Sequence, residues 1–222
     1  MFSTIAPRYD TLNRLLSFGV DRRWRLQAAR AALHGGAHDV LDVATGTGDL
    51  AFTLAAMAPS AEITGVDFAE PMLELARAKA QERQTRVRFE VGDGTRLHFP
   101  NASFDAVTIA YGLRNFDDLE AGLREFLRVL RPGGRLVVLE FPPPPGGLFG
   151  VLYRLYFTRV LPAVGGLVSG RGGAYRYLPA SVLAFPSPDV LAERLRAVGF
   201  VNVGYHLQTM GISAIHLGEK SA

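Results

Sequence analysis

The chain has 222 residues, 48% of them apolar, which is enough to bury a full core and reads most simply as one domain carrying an insertion. Its net charge of +3 and pI of about 9.4 rest almost wholly on arginine, since Lys79 and Lys220 are the only lysines, and no run of like charge is long enough for a nucleic-acid arm. Cysteine is absent, which fits a reducing compartment and rules out catalysis by a thiol.

The opening MFSTIAPRYD lacks the charged and apolar regions of a signal peptide, and no window approaches the roughly 18 uninterrupted apolar residues of a membrane span. A cytoplasmic protein is expected, touching a membrane at most from its surface. Residues 1–34 read as two short helices, a flap over the core or over a substrate. Leu12, Leu15 and Leu16 face one way, Gly19 breaks the first helix, and Asp21 is placed to cap the second, which carries Trp24, Ala28, Ala31 and Ala32 on one stripe. His34 and His38 have a helical spacing, but Gly35 and Gly36 between them argue against a helix and so against a metal pair.

Val40 to Ala51, VLDVATGTGDLA, organises the rest: an apolar strand, a turn built on Gly46 and Gly48, then a helix N-terminus. Glycines let the backbone approach a ligand, and the free N–H groups of a helix start are donors for its polar atoms. The next apolar run, Glu62 to Val66, ends in Asp67, placed to take a ribose diol with both carboxylate oxygens. Together these predict a nucleoside-containing cofactor. GTGDLA also satisfies the dinucleotide fingerprint G-x-G-x-x-G/A, so a dinucleotide oxidoreductase stays open at this point. Asp42 pulls towards S-adenosylmethionine, because a carboxylate in the acidic-x-x-x-Gly-x-Gly arrangement, four residues before Gly46, can order the loop and approach a cationic methionine end. Pro132-Gly133-Gly134, ending a helix and opening a strand, pulls the same way.

From Val40 the chain alternates strand and helix, the rhythm of a parallel sheet covered on both faces. A helix is predicted from about Pro71 to Gln84, then a strand from Val87 to Val91 ending at Gly92-Asp93-Gly94, which sets Asp93 to accept from an adenine amino group. The strand Phe104 to Ala110 runs into Tyr111-Gly112-Leu113-Arg114-Asn115, where the reacting end of a ligand should sit. Asp117 or Asp118 then caps the next helix rather than binding magnesium. Leu136 to Glu140 is the fifth strand. Residues 141–188, with the run Pro142 to Pro145 and a long apolar stretch flanked by arginines, read as a substrate-side insertion suited to an anionic membrane surface. A helix from Asp189 to Val198 and strands Phe200 to Gln208 and Ile212 to Leu217 close the chain as an antiparallel hairpin.

The stretches FSTIAPRYDTLNRLLSFGVDRRWR, LDVATGTGDLA, GLRN, RVLRPGGRLVVLEF and YRYLPASVLAFPS together resemble the S-adenosylmethionine-dependent C-methyltransferases of menaquinone and ubiquinone biosynthesis over nearly the whole length. The resemblance implies an α/β, Rossmann-like class I methyltransferase fold, a mostly parallel seven-stranded sheet with a C-terminal antiparallel strand. It implies S-adenosylmethionine as methyl donor and no metal. It places Thr47 in the cofactor loop beside Asp42, Gly46 and Gly48, Asp67 on the ribose, Asp93 and Gly94 near adenine, and Ala110 at the strand end. The acceptor it implies is a prenylated quinol, with demethylmenaquinol favoured over a ubiquinone-pathway benzoquinol or another lipophilic aromatic. Asp21 departs from the family, which usually has histidine there, as do Leu12, Arg131 and Pro142. Oligomeric state is left open, a homodimer among the options.

For such a reaction the acceptor carbon must be made nucleophilic, and loss of a quinol hydroxyl proton does so. A phenol-like pKa of about 10 must fall by about 4 kcal/mol of preferential phenolate stabilisation to approach neutrality. Arg114 and Asn115 are the expected stabilisers, with Tyr9 or Asp10 positioning the water that removes the proton.

Overall fold

The computed structural model describes residues 19–155, 159 and 173–222. Seven strands form one sheet in the order β3-β2-β1-β4-β5-β7-β6: β1 (Asp39–Val43), β2 (Glu62–Asp67), β3 (Arg88–Val91), β4 (Phe104–Ala110), β5 (Leu130–Glu140), β6 (Phe200–Gln208) and β7 (Ser213–Lys220). The first five pair in parallel, while β7 runs antiparallel to both β5 and β6. The predicted fold class is therefore the one observed.

The strands of a sheet covered on both faces are apolar throughout, and alternate residues enter different cores. Val40, Val137 and Leu139 pack with α1 (Asp21–Leu33), α2 (Asp49–Met57) and α3 (Glu70–Glu82). Leu41, Val43, Leu136 and Val138 pack on the other face with α4 (Leu119–Val129) and α7 (Pro188–Val198). The insertion contributes α5 (Gly147–Leu155) and α6 (Gly173–Ala184). Among the described residues no helix is long and apolar enough to cross a membrane.

Three boundaries differ from expectation. β5 begins at Leu130, which pairs with Phe104 before Arg135 resumes the ladder opposite Ala106, so Arg131 to Gly134 form an irregularity within the strand. The last strand starts at Ser213 and runs on to Lys220. Asp21 does not cap α1: the N-cap is Val20, and Asp21 sits inside the first turn, ion-paired with Arg25 one turn on. The first of the two expected N-terminal helices lies outside the described residues, as do Tyr9 and Asp10.

The sheet order reverses between β1 and β4, the kind of place where α/β sheets hold ligands beyond the carboxyl ends of their strands. The loops leaving both strands are under strain. Ala44 (φ +51°) and Tyr111 (φ +59°), each just past its strand, adopt left-handed backbone that costs a non-glycine residue about 1–3 kcal/mol. They approach so closely that a Cβ on Gly112 would lie 2.4 Å from the Ala44 Cβ. Gly112→Ala is expected to cost about 1–3 kcal/mol in urea denaturation, the usual effect of overpacking. An unchanged midpoint would show that the two loops can separate freely.

Candidate functional site: a cleft at the sheet switch point

A cleft of about 560 Å³ opens over the C-terminal ends of β1, β2 and β4. Its lining includes Gly46, Asp67, Asp93, Gly94, Ala110 and Asn115, six of the residues singled out from sequence. The volume falls within the ordinary range for a small-molecule site.

The floor is built by two buried carboxylates that hold the glycine loop. Asp67 accepts from the Gly46 N–H at 2.8 Å through Oδ2 and from the Ala69 N–H at 2.9 Å through Oδ1. Burial raises its pKa, against the pull of these amides. Asp42 lies deeper, 1% exposed, and does not line the cleft. It accepts from Thr45 Oγ1 at 2.6 Å and from Thr108 Oγ1 at 2.7 Å. Burial pushes its carboxyl up to about 6. The loop itself turns through Gly46 (φ +57°) and Gly48 (φ +88°), the latter being the N-cap of α2. A Cβ on Gly46 would touch only Met72 Cε, at 3.7 Å, so a side chain there would occupy the cleft. Thr47 is buried, and its carbonyl accepts from Lys79 Nζ at 3.3 Å.

At the far end Asp93 is exposed, and its Oδ1 accepts from both the N–H and the hydroxyl of Thr95 at 2.8 and 2.7 Å. Gly94 is required by packing, because a Cβ there would sit 2.4 Å from Phe116 Cζ and 2.8 Å from Val43 Cγ1. Phe68, two-thirds exposed, presents an aromatic face beside Asp67. Asp118 is the N-cap of α4, accepting from the Ala121 N–H at 2.9 Å.

Arg114 and Asn115 share one tight 3-10 turn, Leu113–Asn115. Asn115 lines the cleft, while the Arg114 guanidinium is 5% exposed and ion-paired with Glu140 at 2.7 Å. Glu140 also accepts from the Phe141 N–H at 2.8 Å, and burial raises its pKa against the pull of Arg114. Among the described residues Arg114 Nε has no hydrogen-bond partner. Around this pair stands an aromatic tier: Tyr111 stacks on Phe141 at 4.5 Å, Trp24 meets Phe141 edge-on at 6.1 Å, and the indole N–H of Trp24 donates to Thr209 Oγ1 at 2.9 Å. Glu140 was passed over in the sequence, although an acid ending the run RLVVLE is a signal. Thr108, the one hydroxyl in the strand FDAVTIA, was another.

The residues fit S-adenosylmethionine. A loop that presents Gly46 without a side chain, a buried carboxylate at the end of β2 that still lines the cleft and an exposed aromatic face next to it suit a nucleoside cofactor with a cationic tail. Among the described residues no group of three His, Asp or Glu is gathered as for a metal ion.

Comparison with known proteins extends these observations. The model of the ubiE/COQ5 methyltransferase family matches residues 1–220. The chain is 60% identical to the demethylmenaquinone methyltransferase of Thermus thermophilus, over 99% of this chain and 100% of that one. It is 51% identical to the ubiquinone/menaquinone biosynthesis C-methyltransferase UbiE of Geobacter sulfurreducens, over 99% and 87%. Among solved structures, an S-adenosylmethionine-dependent methyltransferase from Thermotoga maritima superposes with a TM-score of 0.69 at 20% identity, covering 99% of this chain and 98% of that one, which bears on the fold alone. Matched by the family model across residues 1–220 and by such similar relatives along their lengths, the chain belongs to the ubiE/COQ5 methyltransferase family and is an S-adenosylmethionine-dependent methyltransferase.

Proposed function

We propose that this enzyme methylates a ring carbon of a prenylated quinol, with demethylmenaquinol as the acceptor, in respiratory quinone biosynthesis. The observation that carries the reading is the 60% identity, along the full length of both chains, to a protein named demethylmenaquinone methyltransferase. A ubiquinone-pathway benzoquinol is the second reading, supported by the 51% identity to a relative named for both pathways. The fold unit spans residues 1–222, with residues 1–34 as an N-terminal helical flap and residues 141–188 as a substrate-side insertion. Since a prenyl tail keeps the acceptor in a lipid phase, the enzyme works at the inner face of the cell membrane, and exposed Val151 and Leu155 on α5 support peripheral contact there.

S-adenosylmethionine supplies an electrophilic methyl group at this site. Asp67 takes the ribose diol, Gly46 lines the methionine end with Thr47 and Gly48 completing the loop behind it, Asp93 and Gly94 hold adenine, and Ala110 floors the site. Arg114 and Asn115 stabilise the phenolate; water removes the proton, positioned by Tyr9 or Asp10. Glu140 holds the guanidinium in place, leaving the Arg114 Nε–H as a donor, with Asn115 next to it in the cleft lining. One lost charge-assisted bond of about 1.5–3 kcal/mol corresponds to roughly 10–150-fold in rate. Arg114→Ala should therefore lower turnover by that factor with S-adenosylhomocysteine affinity retained; turnover near wild type sinks the assignment.

The reading as a whole is tested by methyl transfer from labelled S-adenosylmethionine to a short-chain demethylmenaquinol, its oxidised quinone and a benzoquinol, with products analysed by mass spectrometry. A single carbon-bound methyl on the reduced naphthoquinol alone is expected. Transfer to neither ring, with S-adenosylhomocysteine still bound, sends the acceptor assignment elsewhere.

A further inference from the structure

Asp42 is a carboxylate in an unusual position. It is buried on β1, and no cationic side chain among the described residues pairs with it. The charge that acts on it is that of a second carboxylate, Asp67, which opposes its ionisation. The cations on the other side of the loop, Arg25 and Lys79, are held by Asp21 and Asp49, at 3.3 Å for Arg25–Asp49 and 3.7 Å for Lys79–Asp49. What keeps Asp42 in place is hydroxyls: Thr45 from the loop, and Thr108 from β4, whose Cα stands opposite that of Asp42 in the parallel ladder.

The backbone makes room for this arrangement. Asp42 faces Gly65 on its other side, and a Cβ there would sit 2.9 Å from Thr45 Oγ1. A residue larger than glycine would push Thr45 off the carboxylate. Ala51 on α2 adds a backbone amide. Every donor to Asp42 among the described residues is thus neutral, and none of these residues supplies a counter-charge to the negative charge stored behind the cofactor loop. A buried charge without a partner is costly, and an approaching cation relieves that cost.

Resting on the assignment of S-adenosylmethionine to this cleft, we propose that the Thr108–Asp42–Thr45 relay makes the site select for charge, favouring the cationic methyl donor relative to its demethylated product. The two ligands share the adenosine, amino and carboxylate groups; the donor alone carries the sulfonium charge. Asp42 acts through the loop without lining the cleft, so it and Thr108 are positioning residues. The charge is present only while Asp42 is ionised, and burial has already raised its pKa to about 6. Removing the Thr108 hydroxyl takes away a bond to the ionised form and raises that pKa further.

The test is calorimetric titration of S-adenosylmethionine and S-adenosylhomocysteine, without acceptor, into the wild type, Asp42→Asn and Thr108→Val between pH 5.5 and 8. In the wild type the donor's affinity should fall relative to the product's as the pH drops through about 6. In Asp42→Asn the donor-to-product affinity ratio should fall at least about fivefold at pH 7.5, and its pH dependence should vanish. Thr108→Val should keep the wild-type ratio at pH 8 and lose it at a pH about one unit higher than the wild type does. Equal weakening of both ligands by Asp42→Asn, or a Thr108→Val profile superposable on the wild type, overturns the proposal and leaves the relay as loop scaffolding. A wild type that binds neither ligand overturns the cofactor assignment itself, and the proposal with it.

Discussion

Asp67→Ala is expected to weaken S-adenosylhomocysteine binding by at least about 100-fold in calorimetry, the largest effect of any single side chain on cofactor affinity. Two charge-assisted hydrogen bonds to a ribose, at about 1.5–3 kcal/mol each, already correspond to this factor. The loss does not stop there, because the same carboxylate positions the Gly46 and Ala69 amides that shape the loop. Asp67→Asn keeps an acceptor but loses the charge and one of the two oxygens, so it should fall between. A loss below about fivefold in Asp67→Ala would mean that the ribose is held elsewhere.

Glu140→Ala is expected to produce the largest loss of stability, about 3–5 kcal/mol in urea denaturation. The variant leaves the Arg114 guanidinium at 5% exposure without its counter-charge, and it strips the Phe141 amide of its acceptor. Glu140→Gln, which keeps the shape and an acceptor, should cost less while still altering turnover through Arg114. If both variants denature with the wild type, the guanidinium finds solvent, and the role given to Glu140 fails. Cofactor affinity should respond little to either, because Glu140 does not line the cleft.

The sheet was legible because strands covered on both faces leave long apolar runs punctuated by Gly and Asp, as at Asp42, Asp67 and Asp93. Each of these marks the end of a strand by chemistry that a reader can weigh. The cap at Asp118 was legible for a similar reason, since a cap depends on residues three positions apart. What escaped depends on register between distant segments. Thr108 reaches Asp42 only because β1 and β4 pair with those two residues opposite, and no local pattern encodes that. Glu140 meets Arg114 across 26 positions, where the ends of β5 and β4 converge. Asp21 looked like a cap because it follows Gly19 and opens a helical stripe, yet an arginine one turn on claimed its carboxylate.

The place of β7 has a bearing on how the chain is made. It is the last of the seven strands in sequence, and it lies inside the sheet, between β5 and β6. Until it is synthesised, β5 offers an open edge along LVVLE, an apolar template of the kind that recruits other chains. Trp24, near the start, likewise waits for Thr209 near the end. The sheet is thus complete only once β7 has been made, and a chain stopped before Ser213 should aggregate rather than behave as a slightly shortened enzyme.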